Sequence, residues 1–297
     1  MADSTGGDTD VLFLVSFLMA LIVGLVIHSF IIGVNVSDWW RGRSVTPVDL
    51  VVTSIGISRM CCQCILTLFH VLFNLFVHVN LLIIDMVYNF CVLTSLWLTS
   101  LLSIVLCLKI SNIHTRLFLY LRRMMLPRTG HLIVASILLS ALSSFSAITV
   151  LTNGEAHNTT MSGLSLKHLY NYAMAFFFPL LFYSISSVLL FVSLYHHTTR
   201  MKMSSNLSIN LETYYSVMRF VSFTFIYYTI YFIVDFVCVY YYYVYYVTSS
   251  WLDLLLNFFP ALHSSYLIWK TAKLRNQMSK VLQNVMDYFQ WQNTGEG

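Results

Sequence analysis

The sequence predicts an all-α fold, a bundle of seven transmembrane helices with an extracellular amino terminus. Three observations carry it. Of 297 residues only 9% are Asp, Glu, Lys or Arg while 58% are hydrophobic, and a soluble domain carries about 25% charge. No water-facing surface can be assembled from that. Seven apolar runs approach the roughly 20 residues that a bilayer core about 30 Å thick requires at 1.5 Å per residue. Between those runs, Lys and Arg gather almost entirely on one side.

The runs follow one another along the chain. Residues 1–10 hold three Asp and no base, so they lack the positive start of a cleavable signal peptide, and the first run, 11–34, is expected to remain as an anchor. The next three cover 48–72, 80–108 and 131–151, and the fifth, 171–195, opens at Asn171 and contains Pro179. The sixth and seventh, 215–240 and 250–269, are parted only by the tyrosine-rich stretch Tyr240 to Tyr246 and Ser249-Ser250. This boundary is the weakest, and a span plus a re-entrant piece is the alternative. The tyrosines read as an interfacial aromatic belt with an outer loop. Residues 11–269 thus form the membrane domain and 270–297 a tail.

With seven spans, 14 of the 16 Lys and Arg share a side: Arg41 and Arg43, the cluster from Lys109 to Arg128, Arg200 to Arg219, and Lys270 to Lys280. Arg59, inside span two, and Lys167, in the opposite loop 152–170, are the exceptions. Basic residues mark short cytoplasmic loops, so the tail lies inside; six or eight spans would split the clusters. Asn158-Thr159-Thr160 is a glycosylation sequon on the outer side, whereas Asn35-Val36-Ser37 and Asn206-Leu207-Ser208 fall inside and should stay bare.

Several classes are excluded or weakened. Cys61, Cys62, Cys64, Cys91, Cys107 and Cys238 all lie in predicted spans and none in the 152–170 loop, so no disulfide is expected to tie span three to that loop unless Cys91 or Cys238 lies much nearer the surface. Cys61-Cys62-Gln63-Cys64 fits no paired ligand spacing and reads as helix packing. No metal site or cofactor is expected. A retinal-linked pump would need a Lys midway along span seven, but Lys270 stands at its end. The sparse net charge of +4 points to no nucleic-acid partner, and no pair of acids in neighbouring spans forms a catalytic dyad. A helical-bundle receptor leads, with a transporter or channel as the alternative from another class. Transporter sites usually use interrupted helices in paired halves, and only 11 Gly and 4 Pro are present with no internal repeat.

Polar residues inside the spans need a partner or a wet cavity, because an ionised side chain at a helix centre costs about 2.5 to 3.5 kcal/mol. Arg59 lies eleven residues into span two, roughly 16 Å deep. It reads either as a hub linking spans one, two and seven, with His28 and Ser264 as partners, or as a static tie. Asp85, Asp235 and Asp253 stand near the outer ends of spans three, six and seven. They face either a shared cavity or interfacial water.

Particular stretches are recognisable. Span two gives Thr46-Pro47-Val48-Asp49-Leu50 and Ile57-Ser58-Arg59. Span three holds Trp97, ends Leu108-Lys109-Ile110-Ser111-Asn112, and is followed by Phe118-Leu119-Tyr120-Leu121-Arg122-Arg123. Span five gives Pro179, Ser193-Leu194-Tyr195-His196-His197 and Met201; span seven gives His263-Ser264-Ser265-Tyr266-Leu267-Ile268 and Lys273-Leu274-Arg275. In these motifs and their order the chain resembles the bitter taste receptors, the type 2 taste receptor family. Vomeronasal type 1 pheromone receptors are the nearest confusable relatives; His263-Ser264 and Leu108-Lys109-Ile110 favour taste. The sequence departs from the family at His28 and Val92, where Asn is usual, at Tyr88, where many members carry Trp, and at Thr271, where Asn is common. The register of span six has two alignments, one of which puts Tyr228, Tyr231 and Phe232 on the family's tyrosines.

The resemblance implies a plasma-membrane, multi-pass, G-protein-coupled receptor for bitter small molecules. An outer pocket would be formed by Asp85, Tyr88, Asn89, Val92, Tyr231, Asp235 and Asp253, with His70 and Asn74 from span two. Aromatic walls with a few fixed polar groups suit small amphipathic ligands, and acids without a nearby base favour cationic ones. Arg59, His28 and Ser264 would form an activation switch. On the inner side, among bases that also anchor lipid headgroups, Arg122, Arg123, His197, Lys273 and Arg275 would contact a heterotrimeric G protein of the gustducin or inhibitory class.

Overall fold

The computed structural model describes residues 4–74, 81–111, 115–156, 161–203, 208–245 and 249–295. Among these residues the fold is all-α. Its helices are α1 (Ser4–Trp40), α2 (Pro47–Asn74), α3 (Leu81–Ile110), α4 (Arg116–Met125), α5 (Thr129–Ala156), α6 (Met161–Met203), α7 (Ser208–Tyr240), α8 (Ser250–Lys270) and α9 (Ala272–Gly295).

All seven apolar runs become helices, and several extend beyond the expected ends. α6 begins at Met161 rather than Asn171, so Lys167, expected in a loop, is helical. α7 and α8 are separate helices, and α7 runs on into a π-helical turn at Tyr241–Tyr245. Six helices, α1, α2, α3, α5, α6 and α7, contain stretches long and apolar enough to cross a bilayer. α8 is not among them. Its 21 residues span about 31 Å, but Asn257, His263 and Ser264 dilute its apolarity, and all three are buried.

Local chemistry sets the helix starts. Pro47 opens α2, where its missing N–H costs nothing, and Thr46 and Asp49 cap it reciprocally: the Asp49 amide donates to Thr46 Oγ1 at 3.2 Å, and the Thr46 amide donates to Asp49 Oδ2 at 3.2 Å. α4 starts at Thr115, whose hydroxyl oxygen accepts from the Phe118 amide.

α3 is the axis of the bundle: 72% of its apolar stretch is buried, against 22% in α1 and in α5. It packs on α2, α5 and α6, while α1–α2, α2–α5, α5–α6, α6–α7, α7–α8 and α8–α1 contacts close a ring around it. Because successive long helices alternate in direction, the ends of α2 and α7 and the starts of α3, α6 and α8 meet at one end. The start of α2, the ends of α1, α3 and α8, and α4 and α9 lie at the other.

Candidate functional site

At the first end, α2, α3, α6, α7 and α8 enclose a cavity of about 120 Å³. Asp85, Tyr88 and Asn89 reach it from α3, Asp235 and Cys238 from α7, Asp253 and Leu256 from α8, Tyr172 from α6 and Phe69 from α2. No Lys or Arg is among its lining residues. Helical spacing explains the convergence: 85, 88 and 89 share one face of α3, and 253 and 256 one face of α8.

The acids differ in freedom. Asp235 is 2% exposed and accepts a hydrogen bond from the Tyr172 hydroxyl across the α6–α7 contact. Asp253 keeps 19% of its side chain exposed, with His70 Nε2 at 3.6 Å, ionic reach rather than a hydrogen bond. His70 lies behind the acid, its ring stacked on Phe17 of α1 at 3.9 Å.

Deeper along the same helices lies a polar cluster around Arg59, which is 3% exposed. Its Nη1 donates to His263 Nδ1 at 2.7 Å and to Ser264 Oγ at 3.1 Å, its Nε to Ser95 Oγ at 3.4 Å, and its Nη2 to the Tyr228 hydroxyl. Four of the five guanidinium donors are thereby used. An arginine only donates, so His263 Nδ1 accepts and the His263 proton sits on Nε2. Ser264 Oγ also meets His28 Nε2 at 3.0 Å, and the Tyr228 hydroxyl meets Thr99 Oγ1 at 2.8 Å. One side chain thus joins α2, α3, α7 and α8 directly and α1 through Ser264.

Between cavity and cluster runs a polar seam. Arg59, Gln63, Thr67 and His70 fall at helical spacing on α2, and Asp253, Asn257 and Ser264 on α8. Gln63 Nε2 donates to the Asn257 carbonyl at 2.8 Å, and Asn257 Nδ2 donates to Thr67 Oγ1 at 3.4 Å. Gly24 of α1 closes over Gln63: a Cβ there would stand 2.0 Å from Gln63 Oε1.

The chain matches the family described as Taste receptor protein (TAS2R) over residues 6–286. The chain belongs to the type 2 taste receptor family. Among relatives, Taste receptor type 2 member 9 of Papio hamadryas is 27% identical over 308 residues, covering 90% of this chain and 92% of the relative. Taste receptor type 2 member 16 of Pan troglodytes is 28% identical over 242 residues, with 75% and 80% covered, and its Homo sapiens counterpart is 27% identical over the same length and shares. The protein is a multi-pass membrane receptor of the G-protein-coupled, bitter-taste class, not an enzyme, and the vomeronasal and transporter alternatives fall away.

Within this taste receptor, the expected ligand residues separate. Asp85, Tyr88, Asn89, Asp235 and Asp253 line the cavity. Val92 and Tyr231 do not: each lies about a turn deeper, in a buried apolar cluster that shares Tyr172 and Leu256 with the cavity wall. His70 supports Asp253 from behind. Tyr172, Phe69, Cys238 and Leu256 were missed. Tyr172 stands one residue past the expected start of span five, in a helix so aromatic that no single ring stood out.

The expected switch residues Arg59, His28 and Ser264 do meet, and Tyr228 and His263 join them. At the opposite end Arg122, Arg123 and Arg275 are exposed. Lys273 is instead drawn into an ionic cluster: its Nζ donates to Asn35 Oδ1 at 2.9 Å and pairs with Asp38 at 3.0 Å and Asp49 at 3.3 Å. Asn158 lies outside the described residues, as do the side chains of Asn74 and His197. All six cysteines are free.

Proposed function

We propose that this taste receptor crosses the plasma membrane seven times with its amino terminus outside, α8 forming the seventh span. It binds bitter small molecules in the α2–α3–α6–α7–α8 cavity and activates a heterotrimeric G protein of the gustducin or inhibitory class at the opposite face. The observation that carries the reading is the convergence of Asp85, Asp235 and Asp253 with Tyr88 and Asn89 on one cavity with no basic lining residue. Low-dielectric walls strengthen the field of such acids, so amine-bearing amphiphiles are the favoured ligands, with Asp253 as their ionic partner.

The cavity holds about 120 Å³, whereas pockets for drug-sized ligands run about 300–1,000 Å³. An agonist must therefore part the lining helices. A ligand shifts an equilibrium only by its differential affinity for two states, and the widened cavity is the state it selects. On α8, Asp253 is one turn from Asn257 and about three turns from His263 and Ser264. Displacing the start of α8 then strains the Gln63–Asn257 contact and the Arg59 cluster, whose bonds to neutral partners can be exchanged. Arg122, Arg123 and Arg275 meet the G protein, and Asn158 carries a glycan outside.

A calcium-mobilisation screen of bitter compounds, in cells expressing the chain with a promiscuous G protein, tests the proposal. Responses to alkaloid-like amines support it; flux of ligand or ions without any G-protein response refutes it.

A further inference from the structure

On their outer surface α7 and α8 frame a second space, a shallow groove of about 530 Å³ that belongs to neither the cavity nor the Arg59 cluster. Its walls are apolar stripes at helical spacing, Phe223, Ile226 and Ile230 on α7 and Phe259, Leu262 and Trp269 on α8. Each stripe ends in a base. Arg219 stands one turn before Phe223 and is exposed. Lys270 ends α8 with its Nζ over the Trp269 ring at 4.4 Å and 5.7 Å from the Tyr266 centroid. Because α7 and α8 are antiparallel, with Phe223 against Tyr266 at 4.1 Å, both bases lie at the same end of the groove.

We propose that this groove binds an anionic phospholipid, its acyl chain along the α7–α8 stripes and its phosphate between Arg219 and Lys270. The charge pattern chooses the occupant. Two bases and an apolar slot complement a phosphate joined to a hydrocarbon chain, while a sterol has no anion to offer and free phosphate no chain. Lys270 is already held by two aromatic faces, so it loses little further freedom on binding. The proposal rests on α7 and α8 crossing the bilayer and not on what fills the acid-lined cavity.

The site adjoins the switch. Tyr227, on the groove wall, donates to the Phe259 carbonyl at 2.6 Å and sets its ring 5.0 Å from that of His263. A lipid bridging α7 and α8 therefore fixes the separation at which Tyr228 and His263 both reach Arg59.

Native mass spectrometry of the full-length receptor, titrated in detergent with phosphatidylserine or with phosphatidylcholine of the same chains, tests this. Phosphatidylserine should be retained preferentially, with the preference falling about fivefold for each of Arg219→Ala and Lys270→Ala, in line with roughly 1 kcal/mol per base at an anionic surface. Arg219→Lys and Lys270→Arg should keep it, which separates loss of charge from loss of folding. Leu262→Trp, filling the groove, should weaken retention of both lipids, and inorganic phosphate should not displace them. Undiminished phosphatidylserine preference in the Arg219→Ala/Lys270→Ala double variant, or displacement of bound phosphatidylserine by cholesterol, overturns the proposal.

Discussion

Arg59 donates to Nδ1 of His263 at 2.7 Å, so the buried guanidinium rests on a neutral imidazole rather than a carboxylate. Breaking a buried ion pair leaves an uncompensated charge, at about 3–5 kcal/mol. Exchanging one neutral acceptor for another adds no further unpaired charge. The cluster can therefore rearrange without an intermediate that strands two charges, as a two-state element requires.

Replacing Arg59 should change signalling rather than ligand contact. Arg59→Ala is expected at the cell surface with basal output or maximal response altered severalfold, because a bias of about 1–2 kcal/mol moves a two-state ratio by a factor of about 5–30. Arg59→Lys, with one nitrogen, cannot span Ser95, Tyr228 and His263 together, and should resemble Arg59→Ala. Surface labelling alongside dose-response curves checks both. A surface-expressed Arg59→Ala receptor with wild-type output contradicts the switch.

Asp253 and Asp235 should respond differently to neutralisation. Asp253→Asn is expected to right-shift amine agonists by roughly 10- to 100-fold, the loss of one charge-assisted contact of about 1.5–3 kcal/mol, and to leave a neutral agonist nearly unchanged. Asp235→Asn should act more evenly on both ligand types, because that carboxylate is already engaged by Tyr172. Equal effects of Asp253→Asn on charged and neutral agonists would show that the pocket selects by shape alone.

Gly24→Ala offers a test of the seam from α1, which among the described residues gives none to the cavity lining. Its added Cβ would stand 2.0 Å from Gln63 Oε1, and the amide must leave the Asn257 carbonyl to make room. Gly24→Ala and Gln63→Ala should share a phenotype: a reduced maximal response with agonist binding within about threefold of wild type, since loss of a buried hydrogen bond costs about 1–3 kcal/mol away from the ligand. Wild-type efficacy in both variants would remove the seam from the pathway.

Glycosylation tests the topology. Asn158 should carry a glycan, so that an enzymatic deglycosylation shift disappears in Asn158→Gln. Asn35 should not, for a reason beyond sidedness: its side chain is buried, donating to Thr53 Oγ1 at 3.0 Å and accepting from Lys273. A deglycosylation shift that persists in Asn158→Gln contradicts the arrangement.

What the sequence revealed follows from what an apolar window can detect. Long apolar runs produced α1, α2, α3, α5, α6, α7 and α8, whereas α4 and α9 were invisible because their residues alternate polar and apolar at helical spacing and average to nothing. Asp85, Asn89 and Asp253 stood out as polar residues near the ends of apolar helices. Val92 and Tyr231, expected in the pocket, pack in the cluster about a turn beneath the cavity, a matter of register that only packing decides. Gln63 and Asn257 had a usable signal that went unread: each lies four residues from a residue already singled out, Arg59 and Asp253, on the same helix face. The ion pairs of Lys273 with Asp38 and Asp49 were not legible, because those acids come from other helices and single-sequence reasoning does not pair distant charges.

The most direct measurement is guanine-nucleotide exchange on a purified inhibitory-class heterotrimer by the receptor in phospholipid nanodiscs, with an amine agonist from the screen. The proposed function predicts exchange that depends on agonist and receptor together, right-shifted by Asp253→Asn and altered in amplitude by Arg59→Ala. Failure to stimulate exchange on the heterotrimer, together with agonist-dependent flux in receptor-containing vesicles, would contradict it.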